Sequence, residues 1–104
     1  MERGILYVET QLSSPGLAEE FHRQYNEIHL KEMLAVDGIV AVRRYEPDGH
    51  NGPYVAIYEI EAESLDVARQ AIAAMSGTGK LTTPVGVVTD PPPVVRYFRE
   101  IARR

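Results

Sequence analysis

The sequence predicts an α+β domain: an antiparallel four-stranded sheet with two helices on one face, in the order β-α-β-β-α-β. Three observations predict it. Runs rich in Val, Ile and Tyr with strand-like alternation stand at 4–10, 39–46, 54–61 and 94–101. Apolar residues at helical spacing occupy 15–36 and 64–76, between the first and second strands and between the third and fourth. The chain has 104 residues, the size of one domain, so 1–104 is read as a single unit.

The first strand, GILYVET, ends at polar Gln11, Ser13 and Ser14. Ser14 is expected to cap the helix that follows, with Pro15 in its first turn and Glu19 and Glu20 near its positive end. At about 100° per residue, Leu17, Phe21, Ile28 and Ala35 fall on one stripe, flanked by Ala18, Tyr25, Glu32 and Val36. His22, His29 and Met33 form the far edge, and Glu20, Arg23, Glu27 and Lys31 make the wet face. Leu30 and Leu34 fall near that wet face, either as scattered surface leucines or as a contact with a second subunit. Asp37-Gly38 ends the helix, because glycine supplies the left-handed conformation of a C-terminal cap. A turn-rich segment, Pro47 to Pro53 through His50 and Asn51, joins the second and third strands as a hairpin. The second helix carries a core stripe of Leu65, Ala68, Ile72 and Met75. The long segment 77–93 is irregular, with a short extended piece expected at 85–88, and it is placed to reach a partner.

This order of elements is the split βαβ, ferredoxin-like arrangement. Strand alternation then sorts the side chains. Leu6, Val8, Val40, Val42, Val55 and Ile57 are expected to meet the helices. Tyr7, Glu9, Arg43, Tyr45, Tyr54 and Tyr58 are expected on the other face. That second face is aromatic and charged together, and a homodimer packed through it would close the sheets into a barrel.

Composition limits the function. Hydrophobic residues make up 44% and charged residues 25%, an ordinary globular balance. A net charge of -4 argues against nucleic acid and anionic membrane as partners. Absence of cysteine removes thiol catalysis, disulfides and zinc–thiolate sites. The N-terminal MERGILYVET has no long apolar run, and no stretch approaches the roughly 18 apolar residues of a membrane span. A cytoplasmic protein is expected. The terminal Arg96, Arg99, Arg103 and Arg104 read as a solvated chain end.

With the element order and the run Tyr25-Asn26-Glu27-Ile28-His29-Leu30 in view, the chain resembles the dimeric α+β barrel superfamily, and within it the EthD-like group. The matching residues are Tyr25 and His29 on the first helix, Gly38 at the turn, and Arg43, Arg44 and Tyr45 at the end of the strand. The likeness in detail covers residues 5–60. It departs at Gln24, where the group has a Trp, and at Lys31, near where it has a Pro. The resemblance implies a dimer and a small-molecule site. Relatives include polyketide cyclases, cofactor-free monooxygenases, haem-degrading enzymes, lactone isomerases, lyases and members of no known activity.

His29 and Tyr25 are the candidate catalytic pair. Histidine titrates near neutrality, and Tyr25 sits one helical turn before it, where it can orient the imidazole or donate to an oxyanion. On residue type alone, a boundary histidine capped by a carbonyl and a core tyrosine are the simpler readings. Tyr7, Glu9, His22, Arg43, Tyr45 and Tyr58 are the candidate substrate-binding residues. A Glu9–Arg43 ion pair that satisfies itself is the plainer account of those two. His22, His29 and Glu32 lack the His-Glu-x-x-His spacing, so no metal is expected, and no haem or other cofactor is specified. Gly77-Thr78-Gly79-Lys80 lacks the spacing of a phosphate loop. The expected pocket lies between the first helix and the sheet. A small-molecule enzyme without a cofactor, acting by acid/base chemistry on an aromatic, polyketide-like or lactone substrate, is one reading. A non-catalytic binding module and a structural dimer are the others.

Overall fold

The computed structural model describes residues 1–49 and 52–104. His50 and Asn51, at the tip of the expected hairpin, lie outside the described residues. Four strands, β1 (Glu2–Thr10), β2 (Ile39–Tyr45), β3 (Tyr54–Ala62) and β4 (Val94–Arg99), form one antiparallel sheet in the order β2-β3-β1-β4. One face carries a helical run: a 3-10 turn (Pro15–Leu17), α1 (Ala18–Gln24), a π-helical turn (Tyr25–His29) and α2 (Leu30–Leu34). The same face carries α3 (Leu65–Gly77). This is the ferredoxin-like α+β fold. Ser64 caps α3 by accepting from the Val67 N–H at 3.3 Å. At the first helix it is the Ser14 backbone carbonyl, and not its hydroxyl, that accepts from Leu17.

The π turn corrects the expected helical stripe. The Leu30 N–H bonds the Tyr25 carbonyl five residues back, so one residue more than an α-turn is absorbed. From Phe21 to Met33 an unbroken α-helix would rotate by about 120°. With one residue absorbed, the offset falls to about 20°. Phe21 and Met33 are accordingly buried on one face, and Val36 with them. Ile28, expected in the stripe, is 40% exposed instead, and Ala35 is exposed. Leu34 is exposed, whereas Leu30 packs partly against the core.

The strand faces also differ from expectation in two places. In β3 the buried phase is Ala56, Tyr58, Ile60 and Ala62, so Tyr58 (1% exposed) and Tyr54 face the helices, and Val55 and Ile57 face away. In β2 the register shifts between Ile39 and Ala41, which turns Val40 outward to 49% exposure. Leu6, Val8 and Val42 stay on the helix side, as alternation requires. Gly38, at φ +97°, ends the helical run and brings Glu61 within reach of its carbonyl.

The segment between α3 and β4 folds back on its own chain. Leu12 and Val87 form an isolated bridge, and Ser13 N–H donates to the Gly86 carbonyl at 2.8 Å. Further along, Thr82 and Val85 meet the helical run. The expected extended piece is therefore a single bridge, and residues 82–88 are held within the chain. Among the described residues no helix is long and apolar enough to cross a membrane.

Candidate active site

A cleft of about 320 Å³ lies between the helical run, the sheet and the 81–87 segment. Leu6 and Val8 form its floor, Met33 and Ile72 its helical wall, and Leu81 and Pro84 its loop wall. Into this apolar space reach His29, Tyr25 and Tyr58. The π turn begins at Tyr25 and ends at His29, and their rings meet edge to face at 5.0 Å. Such turns recur at functional sites because they aim side chains that a regular helix cannot.

The His29 ring is fixed from one side. Its Nδ1 lies 2.8 Å from the Thr82 carbonyl oxygen, which can only accept, so Nδ1 carries the hydrogen. In the neutral ring the lone pair is then on Nε2. Burial pushes the His29 pKa down, and the Arg44 charge adds to this; the Thr82 carbonyl and Glu32 act in the opposite direction. The net shift is downward, so the imidazole is neutral at pH 7 and able to take a proton.

The Tyr25 and Tyr58 hydroxyls are 3.2 Å apart and buried. Burial raises the Tyr58 pKa, so that hydroxyl stays protonated. Behind Tyr25 lies Arg44, its guanidinium carbon 4.1 Å from the ring centroid. The Arg44 Nη1 donates to Asn26 at 2.8 Å and to the His22 Nδ1 at 3.2 Å. Arg44 thus braces the tyrosine from behind through a cation–π contact. Neither its place against Tyr25 nor the anchoring of Thr82 is legible in local sequence spacing. Both arise from contacts between distant segments.

The structure brings together His29, Tyr25 and Tyr58 and separates the other candidates. His22 shares the helical run but turns toward Arg44 and Tyr54, away from His29. Burial and Arg44 lower its pKa. Tyr7, Glu9, Arg43 and Tyr45 sit on the opposite face of the sheet. There the Tyr7 hydroxyl donates to Glu9 at 2.9 Å, so Glu9 is paired with Tyr7 and not with Arg43. Arg43 instead pairs with Glu59 at 3.3 Å and donates to the Tyr45 hydroxyl at 3.2 Å, its own strand neighbours. A second hollow of about 420 Å³ on that face is lined by Arg3, Val40, Glu59, Phe98 and Arg99, and by none of those four. Among the described residues no group of three His, Asp or Glu side chains is placed to hold a metal.

No protein-family model matches the chain, and no curated protein matches it in sequence. Solved structures do match. A protein from Shewanella loihica PV-4, provisionally named a monooxygenase, superposes with a TM-score of 0.64 at 15% identity, over 99% of both chains. A monooxygenase of Streptomyces coelicolor, ActVA-Orf6 in complex with Nanaomycin D, gives 0.61 at 14% identity, over 97% of this chain and 90% of that one. An EthD-like protein from Ralstonia eutropha JMP134 gives 0.59 at 12% identity, over 97% and 96%. The chain shares the ferredoxin-like α+β fold of these monooxygenase-named and EthD-like proteins. At these identities the likeness is one of fold.

Proposed function

We propose that this chain is a small-molecule enzyme that works by acid/base chemistry without a cofactor, on an aromatic, polyketide-like or lactone substrate held in the cleft. The observation that carries the proposal is the His29 ring at an apolar cleft, with Nδ1–H committed to Thr82 and Nε2 left as the base. His29 takes a proton from an acidic C–H or O–H of the substrate. The oxyanion that forms meets the Tyr25 hydroxyl, which is free to donate when Tyr58 donates to Tyr25. The apolar lining suits a flat, weakly polar ligand and strengthens each of these contacts by excluding water. Two structural neighbours named as monooxygenases, one holding Nanaomycin D, support a small-molecule reading of this fold. We also propose that two copies pair through the open sheet face, where Val40, Tyr45 and Phe98 are exposed.

Nanaomycin D and a panel of hydroxyquinones and lactones are the probes. Quenching of tyrosine emission reads binding, and absorbance reads turnover. His29→Ala is expected to lower turnover by about 10²- to 10⁴-fold with the fold intact by circular dichroism, and Tyr25→Phe to lower it less. A folded His29→Ala protein with undiminished turnover would remove His29 from the chemistry. Tight binding with no turnover by the wild type would make the chain a binding module.

A further inference from the structure

The helical run that presents His29 also holds the loop that orients it. Thr82 is gripped by all its polar atoms. Its N–H and its hydroxyl both donate to one oxygen of Glu32, at 2.9 and 2.7 Å. Its carbonyl accepts from His29 Nδ1 at 2.8 Å. Three residues on, the Val85 N–H donates to the Gln24 side chain at 2.8 Å. Gln24 and Glu32 thus flank the π turn and clamp the 82–85 strap across it. The Glu32 carboxylate is 3.8 Å from His29 Nδ1, too far for a direct hydrogen bond. Its reach to the imidazole runs through the Thr82 peptide.

That route has a chemical consequence. A free neutral imidazole keeps its hydrogen mainly on Nε2, and a carbonyl held at Nδ1 reverses the preference. Thr82 is an exposed loop residue, so its carbonyl stays at Nδ1 only while the strap is anchored. We infer that Glu32 is a positioning residue: by holding the Thr82 backbone and hydroxyl, it keeps the Thr82 carbonyl on His29 Nδ1 and so leaves Nε2 as the free base. This inference rests on the proposed role of His29, but its test does not require turnover.

The test is the tautomer of His29, read from the imidazole nitrogen resonances of the ¹⁵N-labelled full chain, with the fold checked by circular dichroism. In the wild type, Nδ1–H is expected to predominate. Glu32→Ala should shift His29 toward the Nε2–H form, and Glu32→Gln should restore the wild-type signal, because the amide oxygen still accepts from Thr82. A folded Glu32→Ala protein whose His29 remains Nδ1–H overturns the inference. Should that variant fail to fold, Thr82→Val, which loses the hydroxyl bond alone, is expected to show part of the same shift; an unshifted tautomer there overturns it equally. Where turnover is found, Glu32→Ala should lower it and Glu32→Gln should leave it near the wild-type level. A tautomer that moves while His29→Ala leaves turnover unchanged keeps the positioning role and removes the catalytic one. The converse removes only the positioning role.

Discussion

His29 couples the site to pH. Its folded pKa lies below the ordinary 6.5, chiefly through burial, so the folded state binds its proton less readily than the unfolded chain does. Above pH 6.5 both states are neutral there and the stability is fully present. As pH falls below 6.5 the unfolded chain takes up the proton first, and stability is lost until the folded pKa is reached. His22 is lowered in the same direction and adds to the slope. Denaturation in urea between pH 5 and 8 should therefore show stability falling toward acid, with a shallower slope in His29→Gln. An unchanged slope would mean that His29 titrates as it does in the unfolded chain. His29 and Tyr25 were legible from sequence because a four-residue spacing on a helix brings side chains together. Alternation alone puts Tyr58 on the wrong face because Val55 and Ile57 are the more aliphatic phase. The contrary signal was present: Glu59 and Glu61 share the phase of Val55 and Ile57, and two glutamates in register mark the wet side.

Among the elements, the π turn carries the site. It lets Phe21 and Met33 share one buried face while Tyr25 and His29 turn into the cleft. Glu27 lies within it and is exposed. Deleting Glu27 should convert the turn to a plain α-helix, since eleven steps from Phe21 already bring Met33 back to the same face at about 100° each. The expected protein is folded, with a melting temperature no lower than the wild type, but without the His29–Thr82 bond and without cleft binding. A deletion variant that unfolds would show instead that the turn supports the core. Periodicity at a fixed angle cannot reveal such a turn, so Phe21 and Tyr25 are read in phase, whereas Ile28 and Ala35 are placed in the buried stripe and Met33 on its far edge. The β2 irregularity at Val40 is hidden for the same reason: one extra residue reverses the phase on one side of it, so Val40 points outward while Val42 keeps its expected face.

For the molecule as a whole, surface is in excess. The accessible area is 6882 Å², against roughly 5,800 Å² for a typical monomer of this mass. The difference, about 1,100 Å², exceeds the roughly 800 Å² that one partner loses in a standard interface. Val40, Tyr45 and Phe98 supply the exposed apolar part of the open face, and Arg43–Glu59 and Arg3–Glu61 supply charges around it. Light scattering at micromolar concentration is expected to give twice the chain mass, and Phe98→Glu to give the monomer. A wild-type monomer would sink the pairing. The element order was legible because strand and helix periods alternate cleanly along the chain. The sheet face that remains open was legible only in part, since its character depends on the β3 phase.

One wall of the cleft belongs to no strand or helix. Residues 81–87 are tied to the segment after β1 by the Leu12–Val87 bridge and the Ser13–Gly86 bond, and to the helical run through Glu32 and Gln24. Their length and sequence are nearly independent of the hydrogen-bond ladder that holds the fold. The architecture is thus a chassis with an exchangeable panel. Swapping or lengthening the panel while keeping the Thr82 anchor is expected to change the shape of the cleft and leave His29 in place. Libraries aimed at new ligands belong there and not in the sheet.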